Sequence, residues 1–462
     1  MSTLGRVVAK QAFFFMAFLA LVTSIDLYAN PYFIPHLVPK DPPLLERLAR
    51  EFSAIPTSRG ALRTTHADVV RIDIDWIESS DSFEFKSAFI EQSGTDYLYL
   101  KSQHYPLQGS FIGILEDSSG QKTYSALGTG QEFRRLSRGL AFRFPASKGR
   151  SKFTLIAEDP VTGDMKERLN VTIEPTTLSF VVLDDSLDVR MIKQATASPI
   201  VKLVVYAEGY QESGSGRFFD SAKKIAASFA DSNLPTFANM EITAVFAPSK
   251  SPLGPARSLG IPVPERDSFL GLYYPYWNNF GRWYHVVYPT RYQKYRNALA
   301  QVPYDYPVAL IDSNEYWGVG NYLELTAIPA GSQSFRYLLL HEFGHFLGLN
   351  EEYEGGGRTE LEFAPEITEP WSPNITFAPE RENLKWKSHI ASNTPLPTPR
   401  SAWNTNQNGP LGAYQGGYAD SAAGKSYKPG YACIMERHPQ YCEVCRHAII
   451  KDFFSALTSQ PR

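Results

Sequence analysis

The chain has 462 residues, 45 basic and 48 acidic side chains for a formal net charge of -3, and 43% hydrophobic residues. That length suggests two or three domains, and the apolar share excludes wholesale disorder. No basic excess points to nucleic acid, and 13% aromatics with 33 Pro and 32 Gly suit β-structure with ordered loops better than a helical bundle.

Arg6 and Lys10 precede an apolar run from Ala12 to Val22. Such a run is too short to cross a bilayer but fits the core of a signal peptide, with small residues at Ser24 and Ala29 for cleavage. A signal peptide over residues 1–29 is therefore expected, with export to the periplasm or beyond; an uncleaved anchor is the weaker alternative. The mature chain is expected to hold no membrane span and to be a monomer. Residues 30–65 read as a leader, with a short amphipathic segment at Leu44–Phe52 opened by Pro42-Pro43.

From Asp68 the period becomes two. Val70, Ile72, Ile74 and Trp76 alternate with Arg71, Asp73 and Asp75, which predicts a strand with one wet face. Similar runs follow at Tyr97–Leu100, Phe111–Leu115, Phe153–Ala157, Leu169–Ile173 and Ser179–Leu183. An antiparallel β-sandwich over residues 66–185 is expected. Near Ala195 the pattern changes. Val201–Ala207 predicts a buried strand, Phe218 to Phe229 recurs at helical spacing, and strands are predicted at Ile242–Ala247 and Val308–Ile311. A helix follows from about Phe335 to Leu347, with Ser332 or Ser334 as a cap. This order describes an α/β domain over 195–462. Residues 355–430 are rich in Pro, Gly, Asn and Trp, the signature of a long functional loop region.

The chemistry concentrates in His341-Glu342-Phe343-Gly344-His345, late in the last predicted helix. Residues four apart share a helical face, so His341 and His345 can present nitrogens to one ion. Glu342 lies about 100° round the helix, where it reaches a water rather than the ion. This is the zincin arrangement of two ligands and a general base, with Zn2+ as the expected cofactor. Gly348 allows the helix to stop, and Glu351 stands ten residues after the first His, the metzincin position for a third ligand. Glu352 is the alternative ligand, and the more distant Glu360 or Glu362 a weaker one. Met435, in Cys433-Ile434-Met435, is the candidate for a methionine turn beneath the metal. Tyr353, Tyr418 and Tyr427 are candidate oxyanion or substrate donors; His389, His438 and His447 are candidate outer donors. Three cysteines, Cys433, Cys442 and Cys445, are one short of an all-cysteine zinc site, so a disulfide involving Cys433 is preferred over a redox pair. Asn170 and Asn374 fit a glycosylation acceptor pattern.

The chain resembles the IgA-peptidase-type zinc metallopeptidases of bacteria. The matching residues are 341–345, Gly-Leu-Asn-Glu-Glu-Tyr at 348–353, Pro373-Asn374-Ile375-Thr376, Lys385-Trp386-Lys387, Gly416-Gly417-Tyr418, Tyr427-Lys428-Pro429, Cys433-Ile434-Met435 and 442–445; upstream, 204–210 also match. The resemblance departs at Glu351, where that family carries Asp, and in one residue fewer between His345 and Gly348. It implies an α+β, multidomain chain: an N-terminal antiparallel β-sandwich followed by a metzincin-like α/β zinc peptidase domain.

Three functions are consistent with these residues. The first is an exported zinc endopeptidase acting on a protein or peptide substrate. The others are a secreted surface-binding protein with a structural zinc, which would have no need of Glu342, and a zinc amidase acting on cell-wall peptides.

Overall fold

A computed structural model gives the architecture of residues 69–450, apart from 78–79, 92–110, 128–137, 147–148, 159–164, 198–199, 235–236, 253–256, 259–260, 263–266, 274–287, 290–291, 322–324, 354–371, 404–408 and 418–425. The expected signal peptide, the leader, the run Tyr97–Leu100, Glu360, Glu362 and Tyr418 lie outside the described residues. The chain is a mixed α+β protein with several sheets and few helices. Among the described residues no helix is long and apolar enough to cross a membrane.

The first part is built of β1 (Val69–Ile77), β2 (Ser82–Glu91), β3 (Phe111–Glu116), β4 (Lys122–Leu127), β5 (Arg138–Pro145), β6 (Ser151–Glu158), β7 (Met165–Ile173) and β8 (Ser179–Phe180). They form two four-stranded sheets, β5-β1-β2-β8 and β4-β3-β6-β7. Both sheets send alternate apolar side chains into one core: Ile72, Ile74, Phe142 and Phe144 from the first, Phe111, Leu115, Phe153 and Leu155 from the second.

The wet face expected for β1 is reduced to Asp75, which pairs with the exposed Lys86. Arg71 and Asp73 are buried, because partners and a cover come from elsewhere in the chain. Arg71 pairs with Glu91 at 2.7 Å and with Asp73 at 2.8 Å, and donates to Asn297 Oδ1. Glu91 also pairs with Arg143 at 2.9 Å. Asn297 belongs to a helix that packs on β5 so closely that a Cβ at Gly139 would meet Tyr292 at 2.5 Å. The predicted strand Ser179–Leu183 also falls short: only Ser179–Phe180 pairs, parallel to β2, and Val182 and Leu183 are exposed.

The second part contains β9 (Asp188–Lys193), β10 (Val201–Glu208), α1 (Ser215–Ala230), β11 (Met240–Phe246), α2 (Tyr292–Leu299), β12 (Tyr306–Ile311), β13 (Val319–Asn321), β14 (Leu325–Pro329) and α3 (Phe335–Phe346). One six-stranded sheet runs β13-β14-β12-β10-β11-β9. Its four inner strands are parallel and its two edges antiparallel. It begins at β9, before the change of pattern near Ala195. Both faces are covered, which is why β10 and β12 read as nearly unbroken apolar runs. One face packs Leu203, Val205 and Val308 against α1 and α3; the other packs Val204, Tyr206 and Ala309 against Tyr295 and Leu299 of α2.

Helix α3 is buried from Leu338 to Phe346. Phe343 meets Phe229 of α1 at a ring distance of 4.9 Å. Ser334 occupies the cap position without a capping side-chain bond; the Ser332 hydroxyl instead accepts from the Ser334 amide. Beyond α3 come short β15 (Tyr414–Gln415), β16 (Tyr427–Lys428) and α4 (Glu443–Ala448), joined by turns.

Candidate metal centre

The site is assembled by the end of α3 and by two segments folded back on it. Helix α3 ends in a Schellman turn. Gly348 has φ +89, its amide bonds His345 O, and the Leu349 amide bonds Gly344 O. The turn sends residues 349–353 back across the two histidines. The Glu352 amide then binds Met435 O at 2.8 Å, tying this segment to the turn at 433–436.

Three donors converge. His341 Nε2 and His345 Nε2 are 3.2 Å apart, and Glu351 lies 3.2 Å from the first and 2.9 Å from the second. All three residues are buried. His341 Nδ1 is 2.9 Å from Ile434 O and His345 Nδ1 is 3.0 Å from Leu349 O. A carbonyl can only accept, so both Nδ1 atoms carry protons and both Nε2 atoms are turned inward, where loss of their protons frees them to ligate. Glu351 Oε2 is buried and faces His341 Nε2 at 3.2 Å. Two inward imidazole nitrogens and a carboxylate in a dry site fit a divalent cation: tetrahedral ligands at about 2.1 Å stand about 3.4 Å apart. Burial alone would raise the Glu351 carboxyl, but the two imidazoles hold it well below the usual range. Burial works against a charged imidazole, yet Glu351 lifts His345 to about 9 and raises His341.

Glu342 does not join these three. Its carboxyl is pushed up by burial and accepts from the Gly320 amide of edge strand β13. The approach of β13 to α3 requires glycine. A Cβ at Gly318 would sit 2.6 Å from the Glu342 side chain, and one at Gly320 only 2.0 Å from Glu342 O. The same holds below the helix, where a Cβ at Gly344 would sit 2.5 Å from Met435 Sδ. The fully buried Met435 thus packs directly under the turn between the two histidines. The roles of Gly318, Gly320 and Gly344 are not legible in the sequence, since a glycine's contacts leave no trace in periodicity.

Tyr353 stacks along His341, with 6.1 Å between rings, and Tyr337 also stacks on it, at 5.3 Å. Tyr353 also lines a cavity of about 320 Å³ with Arg400, Tyr431, Glu436, Arg437 and His438. Tyr427 pairs through its backbone with Thr376. His389 and His447 contact each other, with 4.6 Å between rings.

Glu352, the alternative ligand, turns to a different group. Among the described residues a second potential metal cluster comprises Glu352, Cys433, Cys442 and Cys445, all buried. The expected disulfide is absent and all three thiols are free, because they gather about a carboxylate instead of pairing. Asn374 is fully buried and donates to Asn350 O and to Glu352, so it cannot be a glycosylation acceptor.

A helix bearing two histidines, crossed by a chain that returns a carboxylate to them, defines a candidate hydrolytic metal centre. A family model for the IgA peptidases M64 matches residues 189–410, which include β9 to α3, both glutamates and Asn374. The match supports the IgA-peptidase-type metallopeptidase family and, with it, a peptidase; M64 peptidases are metallopeptidases. No curated protein matches the chain.

Proposed function

We propose that the chain is an exported zinc endopeptidase, with a β-sandwich ahead of a metzincin-like catalytic domain. The reading rests on one observation: two imidazole Nε2 atoms and one carboxylate meet in a buried site, beside a second carboxyl that does not join them. His341, His345 and Glu351 would hold the ion. Zinc, when bound, supplies a Lewis acid and brings the pKa of a coordinated water to about 7. Glu342 takes the proton of the attacking water and returns it to the leaving amine. The Gly320 amide steers that carboxyl, and its burial favours proton uptake. Tyr353 stands beside His341 as the donor for the developing oxyanion. The outer side of β13 offers an edge on which an extended peptide pairs.

The test is Glu342→Gln assayed on casein and a peptide library. The variant is expected to keep zinc at the His341 site and to lose at least ~100-fold in kcat, the scale of acid–base loss. Wild-type turnover in that variant would overturn the reading.

A further inference from the structure

We propose that the peptidase carries a second, closed zinc site made of Cys433, Cys442, Cys445 and Glu352, which locks the neighbouring Glu351 and the methionine turn in place. The donor atoms of these four residues lie within 4.8 Å of one another. For zinc–sulfur bonds of about 2.3 Å and zinc–oxygen bonds of about 2.0 Å, tetrahedral ligands stand about 3.5 to 3.8 Å apart, so one ion serves all four with small adjustments. Cys445 Sγ is 2.9 Å and Cys442 Sγ 4.0 Å from Glu352 Oε1.

Backbone amides are turned toward two of the sulfurs. The Cys442 amide points at Cys433 Sγ at 3.3 Å, and the Cys445 amide at Cys442 Sγ at 3.4 Å. Asn374 Nδ2 donates to Glu352 Oε1 at 3.0 Å and fixes the carboxylate. Glu352 Oε2 is buried with no hydrogen-bond partner. Left without a cation, this pocket would hold three thiols and a carboxyl with an unsatisfied oxygen, a costly arrangement. Three thiolates select zinc over magnesium or calcium. Four protein ligands leave no vertex for water, so the site is structural.

Its consequence is mechanical. Glu352 is covalently next to Glu351, and its amide binds Met435 O. Cys433 is two residues from Met435 and adjacent to Ile434, whose carbonyl orients His341. An ion here fastens the returning chain, the methionine turn and α4 at one point. The inference concerns residues outside the proposed catalytic set, and it stands or falls separately.

The experiment measures metal per chain and the cobalt(II) spectrum of the full chain. The wild type is expected to bind two zinc ions and, after cobalt exchange, to show an intense sulfur-to-metal band in the near ultraviolet. His341→Ala should retain one zinc and the whole sulfur band. Cys445→Ser should lose the band and one zinc. Should that variant fail to fold, the wild-type and His341→Ala spectra decide alone. Absence of a sulfur band from the cobalt-loaded wild type, or its loss in His341→Ala, would overturn the second site. A single zinc with an intact sulfur band would support it while removing the catalytic ion.

Discussion

Gly344→Ala is a demanding test of the site's floor. Alanine should favour the helix by about 1 kcal/mol over glycine. Its Cβ, however, would stand 2.5 Å from Met435 Sδ, with Met435 Cε at 3.3 Å and Leu349 Cδ1 at 3.4 Å. Met435 is fully buried, so its sulfur has no open direction of retreat. Overpacking of this kind costs about 1–3 kcal/mol, which outweighs or cancels the helical gain. In a Met435→Ala background the obstruction is gone, and the same substitution should become stabilising by up to about 1 kcal/mol. Urea unfolding of the wild type, both single variants and the double variant measures the coupling, expected at about 1–3 kcal/mol. The displaced turn would also carry Ile434 O away from His341 Nδ1. Zinc affinity at the histidines should then fall by roughly 10–100-fold, the usual effect of losing such a partner. Additivity within about 0.5 kcal/mol would refute the direct packing of Met435 under Gly344.

Glu91→Gln should be among the most damaging changes far from the centre. It leaves Arg71 and Arg143 facing a neutral amide in a buried setting, at a cost of about 3–5 kcal/mol; thermal unfolding unchanged by the substitution would contradict the pairing. Glu208, at the end of β10, accepts from Ser268 and from the amides of Leu270 and Leu272. Burial nonetheless raises its carboxyl to about 7, against these donors and Lys294. The unfolded chain releases this proton near 4.5, the folded chain near 7, so stability declines as pH rises between the two and levels above 7. The decline amounts to about 3 kcal/mol. It should vanish in Glu208→Gln, and a wild-type-to-variant difference that stays flat from pH 4.5 to 7 would refute it.

Much of the architecture was legible because burial on one or two faces writes directly into the residue order. β3, β6, β10, β12, α1 and α3 follow apolar runs whose periods are set by local geometry alone. The His341, Glu342 and His345 geometry was legible for the same reason, since one helical turn fixes it. The burial of Arg71 and Asp73 in β1 is not legible, because alternation reports only that one face is apolar. Arg71 and Asp73 look identical in sequence whether water or protein covers them. Their cover, α2, is a helix of Tyr, Gln, Lys, Arg and Asn whose polar composition conceals its contact with β5.

The cysteines show how counting one residue type can mislead. Three thiols suggested a disulfide with one left over, since a closed all-cysteine site needs four. The fourth donor is a carboxylate from beyond the His341 helix, brought in by the turn at Gly348. That turn also separates two adjacent glutamates that spacing could not distinguish. Glu351 meets the imidazoles, and Glu352 meets the sulfurs. A shift at the sulfur cluster therefore reaches the other by two short routes, the peptide unit between Glu352 and Glu351 and the link from Cys433 to Ile434, whose carbonyl meets His341. Weakening the sulfur cluster should loosen Glu351 and the orientation of His341 before it disturbs His345, whose Nδ1 is held by Leu349 O at the end of α3.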